Sequence, residues 1–221
     1  MTKLILAGLG LFMILSCTAQ NNNSSQWRGP DRKGIFYETG LLNTWPENGP
    51  ELLWSFEGLG AGHSSPGIGN NRIFINGMPD TTGVLYSFDM NGKLLWQKEY
   101  GEEWHVNYTG TRSTPLVVND LVYLVSGMGE VFCFKAENGN LVWSVDMLKK
   151  FEGINIQRGI TESVLIDGDN LICNPGGEVF NVVALNRFTG ETIWTSKGHS
   201  EPSAYCSPVL VEHNKTRLVV T

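Results

Sequence analysis

Cysteine is scarce in this chain, and its four cysteines show no paired spacing. They stand at Cys17, Cys133, Cys173 and Cys206, without a CxxC motif or an adjacent pair. Zinc sites and disulfide frameworks normally show such pairs, so neither is indicated. The three later cysteines are best interpreted as small buried residues. HExxH and GxSxG motifs are also absent, so residue spacing predicts no metal site and identifies no catalytic residue.

Basic residues are also fewer than acidic residues. The chain has 16 basic and 22 acidic residues, for a net charge of −6. Loss of residues 1–16, discussed next, would remove one lysine and make the balance more acidic. Proteins that read nucleic acid through its phosphates are usually basic, so the composition predicts no nucleic-acid partner.

Long apolar runs are absent apart from one at the N-terminus. The run from Leu4 to Leu15 is too short to span a bilayer but fits the apolar region of a secretory signal, so residues 1–16 are predicted to be a signal peptide. The following ILSC resembles the lipobox of bacterial lipoproteins, which implies lipidation of Cys17. Polar residues fill 20–26, so residues 17–26 are predicted to be a flexible tether. The expected location is the bacterial cell envelope, on the periplasmic face or outer membrane, with a lipid anchor.

Helical periodicity is missing after Cys17, and a two-residue period takes its place. Short apolar runs such as RIFINGM, LVYLVS and GEVFCF are separated by Gly, Asn or Asp. This pattern predicts an all-β chain of antiparallel strands.

Two markers repeat along the chain at a similar interval. Tryptophan recurs at Trp54, Trp96, Trp143 and Trp194. A Ser/Thr-Pro step recurs at Pro66, Pro115 and Pro208, with Val164 in the third position. The interval is the length of one four-stranded propeller blade. In the second repeat we predict strands over 114–118, 121–126, 131–135 and 141–145, with turns at Asn119-Asp120 and Asn138-Gly139.

Each repeat also carries a string with a small residue, a turn glycine and a terminal tryptophan. The strings are SFDMNGKLLW, CFKAENGNLVW and ALNRFTGETIW. We interpret them as a packing device in which the tryptophan fills space between neighbouring sheets and its N–H finds a carbonyl. The predicted docking residues are Trp54, Trp96, Trp143, Trp194, Gly92, Gly139 and Gly190.

These strings resemble the tryptophan-docking motif of the quinoprotein-type, or PQQ-like, β-propeller repeat family. Ala184, Thr189, Gly190 and Trp194 match it, with Asn186 in place of an aspartate. The segments QWRGPDRKGI, PELLWSFEGLG, GHSSP and TRSTP are similar to secreted bacterial members of that family, and the likeness extends over residues 26–221. It implies a β-propeller with tryptophan-docking motifs.

The propeller expected over residues 27–221 is incomplete. We predict a closing strand at about 50–57, blades at about 62–98, 112–146 and 161–196, and an incomplete blade at 205–221, which makes about three and a half blades. Closed propellers have about 4 to 8 blades. The missing blades are therefore expected from the rest of the same chain, with closure by a second chain as the competing possibility.

Four long connections are expected on one face of the propeller, where they lead from one blade into the next. They span 58–64, 101–113, 149–162 and 198–206, and loops on a rigid scaffold often carry function. The candidate binding face comprises His63, Trp104, His105, Tyr108, Arg112, Arg158, Glu162, His199 and Tyr205.

Each of these residues has a structural alternative. The histidines either converge on a metal or simply face solvent, and solvent exposure is favoured. Arg112 and Arg158 either hold an anion or pair with Glu162 or another carboxylate. Trp104 and Tyr108 are either a binding platform or a cover for the core between blades.

The family resemblance implies two functions. The first is a non-catalytic, membrane-tethered scaffold that binds an envelope protein or a saccharide, similar to envelope-assembly lipoproteins of the same superfamily. The alternative is a PQQ-dependent alcohol (polyol) dehydrogenase with PQQ and calcium in the channel. Such enzymes stack PQQ between a tryptophan and a vicinal disulfide and bind calcium through carboxylate and amide oxygens. This chain has no adjacent cysteines and no assignable calcium ligands, so no cofactor is predicted and the scaffold is favoured.

Overall fold

The computed structural model describes residues 25–221, and nearly all their regular structure is antiparallel β-sheet. The predicted signal peptide, Cys17 and most of the predicted tether lie outside the described residues. In the described part, no helix is long and apolar enough to span a membrane.

Three consecutive four-stranded sheets make up most of the molecule, and in each the strands follow one another from the innermost to the outermost. Blade 1 consists of β1 (Gly67–Gly69), β2 (Arg72–Gly77), β3 (Thr82–Asp89) and β4 (Leu94–Glu102). Blade 2 consists of β5 (Leu116–Val118), β6 (Leu121–Val125), β7 (Glu130–Lys135) and β8 (Leu141–Asp146). Blade 3 consists of β9 (Leu165–Asp167), β10 (Asn170–Cys173), β12 (Phe180–Asn186) and β13 (Thr192–Lys197). The strands predicted for the second repeat agree with blade 2 to within two residues.

Two further strand pairs and one short helix complete the fold. Next to blade 3, β11 (Gly176–Gly177) pairs with β14 (Glu201–Pro202) in a separate two-stranded sheet. A hairpin of β15 (Val209–His213) and β16 (Thr216–Val220) follows blade 3. The helix α1 (Met147–Lys150) was not expected from the sequence. It begins where the Asp146 side chain accepts a hydrogen bond from Lys149 N (2.9 Å), a local N-cap that a search for long periodic stretches overlooks.

The core lies between successive blades because each sheet buries apolar side chains on both faces. Phe74 and Leu85 of blade 1 pack with Val122 and Phe132 of blade 2. The other face of blade 2 packs against blade 3 in a larger cluster. Leu165 and Ile172 of blade 3, with Ala184, pack against Leu210 and Val219 of the β15–β16 hairpin. Successive side chains of a strand point to opposite faces of the sheet. Each sheet therefore contributes alternate apolar side chains to the interfaces with its two neighbours.

The docking strings join the outer parts of the blades. The rings of Trp54, Trp96 and Trp143 cover Gly92, Gly139 and Gly190, where an added Cβ would come within 2.4, 2.7 and 2.9 Å of the ring. These glycines also have positive φ, so they combine turn geometry with the absence of a side chain.

Two of the indole N–H groups and all three small residues of the strings have regular partners. Trp96 Nε1 donates to Ala136 O (3.2 Å), and Trp143 Nε1 donates to Arg187 O (3.0 Å). Each acceptor stands three residues before the covered glycine. Across the sheet, Cys133 pairs with Trp143, and a register shift follows directly, as it does after the equivalent pairs in blades 1 and 3. The small residue therefore stands opposite the bulky ring on the neighbouring strand.

The predicted fold class is confirmed, since the molecule is an incomplete β-propeller. Residues 50–57 form no strand in the structure, although Trp54 covers Gly92 and Phe56 packs 4.7 Å from Phe88, centroid to centroid. Their role as a closing strand therefore stays a prediction.

Candidate functional site: the inner ring and the loop face

A chain of hydrogen bonds joins the residues that precede the first strand of each blade. Ser65 N donates to Thr114 Oγ1 (3.2 Å), and Thr114 N donates to Ser163 Oγ (2.9 Å). Ser163 N donates in turn to Ser207 Oγ (2.8 Å). We call these four residues the inner ring. The recurring hydroxyl of the Ser/Thr-Pro step, which marks the repeats, is also the sequence signal for this role.

The residues just before Thr114 and Ser163 also turn towards their own blades. In blade 2, Ser113 Oγ accepts a hydrogen bond from Val125 N (3.2 Å). In blade 3, Glu162 Oε1 accepts the equivalent bond from Asn174 N (2.9 Å). A carboxylate thus occupies in blade 3 the position that a serine has in blade 2.

Glu162 is fully buried, and its second carboxylate oxygen, Oε2, has no hydrogen-bond partner. Burial raises the pKa of Glu162 to about 7, while the bond from Asn174 and the charge of Arg32 oppose the rise. Glu162 was predicted to line the binding face, but it lies inside the protein and has Arg32 as its nearby cation. The predicted alternative was that Arg112 and Arg158 pair with Glu162 or another local carboxylate, and the carboxylate that acts on Arg112 is Glu103.

Arg32 is the functional residue that sequence reasoning missed altogether. It lies in the turn-rich segment before the first blade and is 4% exposed. Its Nη1 donates to Ser163 O (3.0 Å) and Pro208 O (2.8 Å), and its Nη2 donates to Val164 O. Burial lowers the pKa of Arg32 to about 10, and Glu162 partly offsets this change. The WRGPDR string offered no sign of contacts more than 130 residues away.

Four of the predicted face residues come together at the surface, and we call them the Arg–Tyr patch: Tyr108, Arg112, Arg158 and Tyr205. The Arg158 guanidinium lies 5.1 Å from the centroid of the Tyr108 ring, a cation–π distance. Arg112 Nη2 donates to Tyr108 O (2.6 Å), which holds Arg112 beside this pair. Tyr108 and Tyr205 are both more than half exposed.

The charges of neighbouring groups act on Arg112. Burial lowers the pKa of Arg112, and the neighbouring positive charge of Arg158 lowers it further, whereas Glu103 and Tyr205 act in the opposite direction. The Nε of Arg112 is buried and has no hydrogen-bond partner. The patch thus presents two close guanidinium groups and two phenol rings on an acidic protein, an arrangement that suits an anionic ligand group.

Trp104 is placed inside the protein. It is 8% exposed, its ring covers Gly159, and its Cβ lies against Gly127. Its Nε1 donates to Asn107 O (2.9 Å). Trp104 is therefore buried against Gly127 and Gly159, and its role as a cover for the core between blades stays a prediction.

The predicted face histidines do not converge. His63, His105 and His199 are exposed, and His105 contacts its own loop through Glu103 O (3.1 Å). Within residues 25–221, no group of three or more His, Cys, Asp or Glu residues is arranged to hold a metal ion.

The described residues do not fit a bound PQQ with calcium. Cys133 and Cys173 are buried, free and on different blades, and Cys206 is exposed and free, so no vicinal pair is offered for stacking. The carbonyl oxygens at the inner ends of blade 3 and the β15–β16 hairpin are already engaged by Arg32. No reaction step is therefore derived through this cofactor.

Comparison with known proteins assigns the chain to a protein family. The family model described as outer membrane protein assembly factor BamB matches residues 38–146 and, in an overlapping second match, residues 81–221. The chain belongs to this family. The expected membership of the PQQ-like propeller repeat proteins is thereby confirmed.

Two curated relatives carry that same name. The protein from Kangiella koreensis is 25% identical over 142 residues, which cover 61% of this chain and 32% of the relative. The protein from Moranella endobia is 26% identical over 188 residues, which cover 73% of this chain and 44% of the relative. The chain therefore spans less than half the length of either relative.

Solved structures with a similar fold include quinoprotein dehydrogenases. The quinohemoprotein alcohol dehydrogenase from Comamonas testosteroni superposes with a TM-score of 0.52 at 18% identity, covering 66% of this chain and 23% of the enzyme. At this identity the likeness shows the propeller fold alone.

Proposed function

We propose that this chain is a non-catalytic scaffold module of the bacterial cell envelope that binds a protein partner through the Arg–Tyr patch. Membership of the BamB family supports the scaffold role, because its curated relatives are named as assembly factors of outer membrane proteins. A lipid anchor at Cys17 would keep the patch close to the membrane surface. This location is part of the proposal.

The patch geometry is the observation that carries the proposal. Arg112 is held by the carbonyls of Asn107 and Tyr108, and Arg158 lies on the Tyr108 ring, so both guanidinium groups are oriented before a partner arrives. Arginine and tyrosine are typical anchors of protein interfaces. Two oriented guanidinium groups favour a partner segment that carries carboxylates.

Site-specific photocrosslinking in the bacterium that encodes the chain tests the proposal. A photoreactive residue in place of Tyr205 should give a discrete adduct with one envelope protein, and Arg112→Ala with Arg158→Ala should abolish the adduct. The same photoreactive residue in place of Leu141, which is exposed on β8, is the matched control. An adduct that survives the arginine changes, or that also forms from position 141, contradicts the proposal.

Titration with PQQ and Ca²⁺ tests the competing function. The scaffold proposal expects no saturable binding and no alcohol-dependent reduction of a dye. Saturable binding with dye reduction would replace it by the dehydrogenase.

A further inference from the structure

Residues 25–34 reach the propeller interior without forming a strand. Ser25 O accepts a hydrogen bond from Val117 N of β5 (2.8 Å), on the innermost strand of blade 2. Seven residues later, Arg32 contacts blade 3 and the β15–β16 hairpin. The segment therefore lies along the inner strands, with its contacts spread over three successive repeats.

The groups around Arg32 are those that a guanidinium ion prefers. Three backbone carbonyls accept its Nη hydrogens, those of Ser163, Val164 and Pro208. Its Nε donates to Gln26 Oε1 (2.9 Å), within the same segment. A planar group with five fixed N–H donors is matched by carbonyls arranged in this way.

A buried carboxyl group supplies the opposite charge where it is ionised, at a pH above its pKa of about 7. Glu162 lies directly before Ser163, is fully buried, and faces Arg32 closely enough for an electrostatic interaction. A buried arginine without a counter-charge would be strongly unfavourable. The carbonyls and the carboxylate together therefore form a site for a planar cation.

The equivalent position between blades 1 and 2 is closed. Pro115 O stands there in the place of Pro208 O, and an added Cβ on Gly67 of blade 1 would lie only 2.2 Å from it. The backbones of blades 1 and 2 thus meet directly, which leaves no room for an inserted side chain. The opening that Arg32 fills between blade 3 and the hairpin is therefore not shared by blades 1 and 2.

We propose that blade 3 and the β15–β16 hairpin form a guanidinium-binding site, and that residues 25–34 are its built-in ligand, docked through Arg32. The docked segment ties the last two repeats together at their inner ends. This inference concerns other residues than the Arg–Tyr patch and does not depend on the proposed scaffold function.

Chemical rescue of Arg32→Ala tests the site. The thermal midpoint of the full chain is measured with and without millimolar ethylguanidinium, far below denaturing concentrations. Arg32→Ala should lower the midpoint by several degrees, and ethylguanidinium should restore part of the loss. Ethylammonium has the same charge but lacks the planar set of N–H donors, so it should restore much less of the thermal midpoint.

Two variants serve as controls for this experiment. Arg28→Ala removes an exposed arginine of the same segment and should show neither the loss nor the rescue. Arg32→Ala combined with Glu162→Gln should lose the rescue because the counter-charge is gone. Equal effects of the two ions, or an unchanged midpoint of Arg32→Ala, would overturn the proposal.

If Arg32→Ala does not fold unaided, the refolding yield replaces the midpoint as the readout. Ethylguanidinium should then raise the yield more than ethylammonium does. An equal yield with either ion would count against a guanidinium site.

Discussion

Two buried glutamates in the connections between blades differ in how well their charge is compensated. Glu103 accepts hydrogen bonds from Tyr100 Oη (2.6 Å), Gly127 N (2.7 Å) and Trp104 N (3.2 Å). Glu162 accepts one bond, and its other oxygen has no partner. Burial raises the pKa of both, and hydrogen bonding offsets this rise more fully at Glu103.

Glu162→Gln should remove a pH dependence of stability. The folded-state pKa of about 7 lies above the ordinary value of 4.5, so the protonated carboxyl is favoured in the folded protein. The protonated Glu162 carboxyl stabilises the folded state fully below about pH 4.5, and this stabilisation is lost as the pH rises through 7. The free energy of unfolding should change by roughly 3 kcal/mol at most. Arg32 and Cys173 face the carboxyl, and Lys150 lies near Cys173.

Urea unfolding at a series of pH values from 4.5 to 8 measures this effect. The wild-type free energy of unfolding should fall more steeply over this range than that of Glu162→Gln. Glu152→Gln, in the same connection but exposed, should follow the wild-type curve. Parallel curves for the wild type and Glu162→Gln would show that this carboxyl does not titrate in the range.

At the scale of elements, neighbouring blades are joined by contacts between a side chain and a backbone, at both their outer and their inner ends. At the outer end, a tryptophan of one blade covers a turn glycine of the next and donates to a carbonyl there. At the inner end, a backbone N–H of one blade donates to a hydroxyl of the next. In both kinds of contact, a side chain of one blade touches the backbone of the neighbouring blade. The association of the two blades therefore depends little on the identity of other residues.

Ser163→Ala should weaken the joint between blades 2 and 3. It removes the acceptor of Thr114 N, a buried donor that then has no partner, and we expect a loss of about 1–2 kcal/mol in the free energy of unfolding. Ser144→Ala, at an exposed position on β8, should change stability by less than about 0.5 kcal/mol. Urea unfolding of both variants measures the difference, and equal effects would mean that the inner-ring bond contributes nothing.

At the scale of the whole molecule, the two ends of the described array expose apolar side chains. Leu52 and Leu53 are 77% and 83% exposed before blade 1. On the final hairpin, Val211, Leu218 and Val220 are also exposed. Exposed apolar strand faces promote association.

This chain should therefore associate as its concentration rises. Sedimentation velocity should show larger species at higher concentration, and Leu218→Lys should shift the distribution towards the monomer. Leu141→Lys, at a comparably exposed site on β8, should have a smaller effect. A compact monomer at every concentration would contradict the prediction, and with it the expectation that further blades or a second chain cover these faces.

Local chemistry made much of the fold predictable. The Asn119-Asp120 turn joins β5 to β6 with Asn119 at positive φ, as expected from the residue types. The tryptophan and glycine of each string were identifiable because every blade repeats them. The Arg–Tyr patch was predictable only as part of a larger set, since connections of similar length show where residues gather but not which of them point outwards.

The sequence by itself determined the fold class, the blade interval and the repeated tryptophan and glycine positions, because these follow from periodicity and repetition within short stretches. Only the tertiary structure decided that Trp104 and Glu162 are buried and that Arg32 reaches Ser163 and Pro208. Those placements depend on how successive sheets are rotated and stacked around a common axis. That rotation brings together residues far apart in the chain. No local sequence pattern predicts the rotation, so these contacts could not be predicted from the sequence.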